Sequence, residues 1–125
     1  MEALEGLEST EVSLGGGGYI YVEPTRALVA VDVNTGADVS LAAGLKANMA
    51  CARLLPRALR VRGLGGQIVL DLAPMPKKDR RVFETALRQA FRSDDVETAL
   101  VGWTPLGHYE LQRKRARLPI SEAMK

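Results

Sequence analysis

Two aspartates end short apolar runs in this sequence: Asp32 in Val31-Asp32-Val33-Asn34, and Asp71 in Val69-Leu70-Asp71-Leu72. An ionised carboxylate is costly to bury alone at such a place. Two brought close repel one another, so one takes up a proton or a cation sits between them. Mg²⁺ answers that need, because it takes oxygen ligands, keeps several waters, and needs only one or two protein carboxylates when phosphate supplies the rest. Such an ion can activate water and polarise a phosphodiester. The plainer reading, a strand-terminal Asp capping the next turn, stays open on spacing alone.

Other chemistries find few tools. The lone cysteine, Cys51, can make neither an intrachain disulfide nor a Cys-rich zinc site. The lone histidine, His108, excludes His-Glu-x-x-His zinc chemistry and brings no serine-triad motif, so it is assigned no role. If the chain is an enzyme, carboxylates and a hard metal are what it has.

The elements around these residues follow from periodicity. Residues 18–23 and 27–34 alternate as two strands joined at Pro24-Thr25, a hairpin. In the second, Val29, Val31 and Val33 share one face, and Asp32 and Asn34 point together to the other, just before Thr35-Gly36. Leu41, Leu45, Met49, Ala52, Leu55 and Leu59 predict an apolar helical face over 41–62, which Pro56 should kink or split. Lys46, Arg53, Arg57 and Arg60 form a basic stripe beside it, readable as a solvated face or as a phosphate contact. Cys51 falls in mid-helix as a small buried residue.

A strand at 67–72, a helix at 77–92 with Phe83, Leu87, Ala90 and Phe91 inward, and strands at 97–103 and 109–111 complete the order β-β-α-β-α-β-β. That order predicts an α/β (α+β) fold, a mixed sheet flanked by helices. Trp103 and the pair Tyr19/Tyr21 suit either a core or base stacking, with core the commoner use. Residues 1–14 hold Leu4, Leu7 and Leu14 too widely spaced for an element. They read as a remnant of a preceding linker or domain, with Gly15 to Gly18 as a turn or linker. Residues 15–112 form the folded unit, and 113–125 a basic tail.

The chain has 125 residues, 46% of them hydrophobic and 26% charged, the make-up of one globular domain. No apolar run reaches the roughly 18 residues of a membrane span, and the acidic opening Met1-Glu2 lacks a secretory pattern. The net charge of +2 is small, but the 17 cations comprise 12 Arg and 5 Lys. Arg's planar fork suits phosphate.

Three stretches resemble the ribonuclease E/G family, in its order and spacing. They are residues 17–36 (Gly-Gly-Tyr-Ile-Tyr-Val-Glu-Pro-Thr-Arg-Ala-Leu-Val-Ala-Val-Asp-Val-Asn-Thr-Gly), 59–72 (Leu-Arg-Val-Arg-Gly-Leu-Gly-Gly-Gln-Ile-Val-Leu-Asp-Leu) and 107–115 (Gly-His-Tyr-Glu-Leu-Gln-Arg-Lys-Arg). The resemblance implies the DNase I-like catalytic subdomain of these endoribonucleases. It implies that Asp32 and Asp71 bind a catalytic Mg²⁺, with Mn²⁺ a substitute, and that Asn34 supports the site. Single-stranded RNA would be cut to 5′-phosphate and 3′-hydroxyl products, within a larger cytoplasmic RNA-processing or RNA-decay enzyme. Arg60, Arg62, Arg113 and Arg115 are the phosphate-contact candidates.

Departures from the family pattern accompany the matches. The S1-type RNA-binding domain and 5′-end sensor would precede residue 1, and the Cys-Pro-x-Cys zinc link would follow the C-terminus, so no zinc is expected in this chain. Family members assemble into dimers and tetramers, leaving a homo-oligomer among the expectations. The family's second acid after the strand is Pro74, its Glu-Glu-Thr is Leu41-Ala42-Ala43, and its Thr-Asn pair is Ala47-Asn48. Thr-Glu-Ala-Leu is Thr25-Arg26-Ala27-Leu28, and Thr-Arg-Lys-Arg is Gln112-Arg113-Lys114-Arg115. These losses motivate the alternative, a catalytically silent RNA-binding or assembly module on the same scaffold.

Overall fold

Alternating side chains assign each strand an inner and an outer face. In the computed structural model, which describes residues 10–115, they do so consistently across one sheet. The strands are β1 (Glu11–Gly15), β2 (Gly18–Pro24), β3 (Val29–Asn34), β4 (Gly66–Asp71), β5 (Thr98–Trp103) and β6 (Tyr109–Arg113). The helices are α1 (Leu41–Val61) and α2 (Arg80–Arg92), the latter entered through a 3₁₀ turn at Lys77–Asp79. The sheet order is β1-β2-β3-β4-β6-β5. β3 and β4 run parallel, as the α1 crossover requires, and the other neighbours are antiparallel. The mixed sheet with helices is the fold class expected.

Ile20, Val22, Val31, Ile68, Leu70 and Leu111 point inward and meet Ala52, Leu55, Leu59, Phe83 and Leu87 from the two helices. Both helices therefore lie on one side. The outer face carries Tyr19, Tyr21, Asp32, Asn34, Val69, Asp71 and Glu110, and no described element covers it. This split places the chemistry-bearing residues on the open side.

Three local expectations change. Residues 11–14 belong to β1, which pairs with β2, while residues 1–9 lie outside the described residues. Val12 and Leu14 alternate onto the core, and Gly15, Gly16 and Gly17, with φ of 79°, 59° and 90°, make a return that side chains resist. Second, α1 runs unbroken through Pro56. Packing of Ala52, Leu55 and Leu59 on either side outweighs a proline cost of about 3 kcal/mol. Third, the buried face of α1 is Gly44, Ala47, Asn48, Cys51, Ala52, Leu55, Pro56, Ala58 and Leu59, and Leu41 stands half exposed. Small residues bring the helix close to the sheet and the β4 exit. Cys51 is buried as expected, and burial pushes its thiol up to about 12.

Candidate catalytic centre

The parallel pairing of β3 and β4 sets Asp32 opposite Asp71, at the carboxyl ends of adjacent strands. Neighbouring strands lie about 4.8 Å apart, so both carboxylates rise side by side from the open face. Such strand ends are where layered α/β folds place ligands. Asn34, two residues on, donates its Nδ2–H to Asp32 Oδ2 at 3.4 Å. Partial burial, then the Asp71 charge, raise the Asp32 pKa, and Glu23 adds to this against the Asn34 hydrogen bond. The three residues singled out from the sequence therefore meet at one place.

Reading the sequence missed two contributors. His108 Nε2 lies 3.6 Å from Asp71 Oδ1. The β4–β6 register pairs Leu70 with Tyr109, and one further antiparallel step brings His108 opposite Asp71. The turn before β6 fixes it, since Thr104 Oγ1 accepts the His108 N–H at 3.0 Å. Only the pairing of β4 with β6, which spacing along the chain does not report, would have found this contact.

Asn48 is the second. Fully buried in α1, it donates Nδ2–H to the Ala73 carbonyl at 2.9 Å and accepts the Ala73 N–H at Oδ1, also at 2.9 Å. One turn earlier, a Cβ at Gly44 would overlap the Pro74 carbonyl oxygen. Together they hold the chain two residues beyond Asp71. The buried amide at a mid-helix position was the available signal.

The aromatic candidates divide. Trp103 joins Phe83 and Tyr109 in an aromatic cluster, edge-to-face with Tyr109 and tilted to Phe83, with ring centroids 5.0–6.0 Å apart, and Arg80 sits over its ring. Tyr19 and Tyr21 depart from the core reading: they are half-buried on the open face, paired across to Asn34 and Asp32, with centroids 5.4 Å apart.

The four arginines assigned to RNA lie elsewhere. Arg113 pairs across with Gly66 at the start of β4, roughly 17 Å of strand from Asp71. Its side chain is buried against Asp94 at 2.6 Å and Thr98 at 3.0 Å, so it cannot reach RNA. Arg60 binds the same Asp94 at 2.8 Å, and Arg62 donates to the Ala58 carbonyl at 3.1 Å. Arg115 lies against Gly66, where a Cβ would stand 2.7 Å from its Nη2. Their clustering at the end of the sheet away from the carboxylates comes from strand direction, which places the start of β4 and the end of β6 together. Residues 116–125, the rest of the expected basic tail, lie outside the described residues.

Among the described residues no three His, Cys, Asp or Glu side chains gather as a complete metal cage. Two carboxylates with an amide beside them are a hard oxygen set that suits an ion retaining most of its waters.

The family model described as the ribonuclease E/G family matches residues 1–116. This chain belongs to that family. Among its ribonuclease E/G relatives, it is 37% identical over 120 residues to Ribonuclease G of Salmonella typhimurium (strain SL1344), covering 91% of this chain and 24% of that protein. It is 33% identical over 126 residues to Ribonuclease E of Escherichia coli (strain K12), covering 96% of this chain and 12% of that one. The Ribonuclease E/G-like protein, chloroplastic, of Arabidopsis thaliana is 33% identical over 127 residues, with 96% and 13% covered. The chain thus spans 12–24% of the length of these ribonuclease E/G proteins.

Proposed function

We propose that this chain supplies the catalytic centre of a Mg²⁺-dependent endoribonuclease, cutting single-stranded RNA to 5′-phosphate and 3′-hydroxyl products as part of a larger RNA-processing or RNA-decay enzyme. The observation that carries this is the in-register pairing of Asp32 with Asp71 on the open face. The relatives, named as ribonucleases or as ribonuclease E/G-like, support the reaction class. The same reading includes an S1-type RNA-binding domain and further copies of the chain in the larger enzyme, in the cytoplasm.

Asp32 and Asp71 would hold the ion. When bound, it supplies a Lewis acid for the phosphodiester and acidifies an attacking water. Asn34 steadies Asp32 through its Oδ2, and His108 stands beside Asp71. A cation held by Asp32 and Asp71 would offset the burial and the Asp71 charge that raise the Asp32 pKa.

Two measurements test this. Mg²⁺ or Mn²⁺ titrated into the chain to about 10 mM should shift NMR signals clustered at Asp32, Asn34 and Asp71, and Asp32→Ala should remove the response. In the full-length enzyme, Asp32→Asn or Asp71→Asn should abolish cleavage and leave RNA binding intact. Undiminished cutting by either variant would refute the assignment. Absent shifts together with salt-sensitive RNA binding would favour the silent module.

A further inference from the structure

With the four arginines at the other end of the sheet, three of them held by protein partners, RNA at the carboxylates needs other cations. The open face offers acids: Glu11, Glu23, Asp32, Asp71 and Glu110 all point to it. Lys46 and Arg53 lie two turns apart on one face of α1. Both are exposed, and neither makes a side-chain hydrogen bond or ion pair among the described residues. They line a cleft of about 460 Å³ between α1 and the β1–β2 turn, with Gly15, Gly16, Gly18 and Thr35 also in its lining.

The cleft's construction suits an extended polyanion. The glycines leave backbone bare, and Lys46 Nζ lies 3.8 Å from where a Cβ on Gly16 would stand. One acid, Asp38, also lines the cleft, its carboxylate accepting the Ser40 N–H at 3.0 Å, against the two cations. The cleft lies on the helix side of the sheet and approaches the open face at the end of β3. Thr35 follows Asn34 directly, and a Cβ at Gly18 would stand 3.2 Å from the Asn34 carbonyl oxygen. Three residues of extended chain set Thr35 about 10 Å from Asp32.

We propose that this cleft binds the phosphodiester backbone of the RNA strand that is cut at Asp32 and Asp71, with Lys46 and Arg53 as its phosphate contacts. The proposal rests on the ribonuclease reading above and deepens it. Backbone contacts of this kind position the strand without reading its sequence.

The test is fluorescence anisotropy of the whole chain with a labelled single-stranded RNA, under chelator so that nothing is cut, from about 50 to 200 mM salt. Each phosphate neutralised on a single strand contributes about 0.7 to the slope of log K against log salt. Lys46→Ala and Arg53→Ala should each flatten the slope by about 0.7, and the double variant by about 1.4, equally on unrelated sequences. Arg57→Ala, on the same helix outside the cleft, should keep the wild-type slope. Unchanged slopes in both cleft variants, or no binding by the wild-type chain, would overturn the proposal. So would NMR shifts at Gly16 with inorganic phosphate alone and unaltered RNA slopes, which assign the cleft to a free oxyanion. The ribonuclease reading fails on a different result, cleavage that persists in Asp32→Asn and Asp71→Asn.

Discussion

Asp32 sits where its own charge is disfavoured, with partial burial and the neighbouring Asp71 both holding its pKa above the ordinary carboxylate value. A carboxyl raised in this way binds its proton more readily in the folded state. Its stabilising contribution is fully present below the unfolded pKa and is lost as pH rises through the folded one. The metal-free chain at neutral pH therefore carries a standing cost at this residue. Asp32→Asn keeps the shape and removes the charge. It is expected to raise the thermal midpoint near neutral pH without metal, with the gain shrinking in acid where the wild-type carboxyl is protonated. Melting curves across pH, with and without Mg²⁺, check this. A gain that is the same at every pH would remove charge repulsion as its cause. The pairing of Asp32 with Asn34 was legible in the sequence, since strand alternation places them on one face. The approach of His108 to Asp71 was not, because it depends on which strand lies beside β4.

At the scale of elements, α1 has two functions on one surface. Its inner face packs on the sheet, and its first half also secures the segment leaving β4 through Asn48 and Gly44. Replacing Asn48 with Ala leaves the Ala73 N–H and carbonyl buried without partners, a cost of about 1–3 kcal/mol for each group left unsatisfied. Urea unfolding of Asn48→Ala should show a loss of that order. Because the clamp lies two residues past Asp71, the variant should also weaken the Mg²⁺ response at Asp71 while the chain remains folded. The helical pattern of residues 41–62 predicted this element within a residue, yet it set Leu41 on the inner face and Pro56 as a break. Both departures share a cause. The sheet accepts a face built from Gly, Ala, Asn and Cys that comes close, and this packing decides rotation and continuity more strongly than local preference does.

At the scale of the molecule, the two ends of the sheet have separate roles. One end carries the carboxylates, the glycine turn and the cleft. The other is closed by Asp94, bound by Arg60 and Arg113 with its carboxylate almost fully buried. This cluster joins the end of α1, the loop after α2 and the last strand, and Arg113 also lies over the Phe91 ring. Breaking a buried ion pair costs about 3–5 kcal/mol when the other charge is left alone, and because Arg60 would still bind Asp94 the loss falls at the low end of that range. Arg113→Ala should therefore lower stability by that order in urea unfolding. Its salt slope for RNA should stay at the wild-type value under conditions where it is folded. A stable Arg113→Ala chain with weakened RNA binding would restore the arginine to the RNA contacts. No described helix is long and apolar enough to cross a membrane.

What the residues alone determined is local and periodic. Alternation and helical spacing assigned the elements, and three motifs pointed to the family and to Asp32, Asn34 and Asp71. Such features need only the chain's own geometry, which repeats every two or about 3.6 residues. The tertiary structure decided adjacency. It set Asp32 beside Asp71 across a parallel pair, His108 beside Asp71 through the order of strands, and the arginines at the opposite end through strand direction. It also drew residues 11–15 into the sheet as a paired edge strand. Pairing partners and registers come from the summed burial of side chains distant in sequence, so no short stretch of the chain contains them.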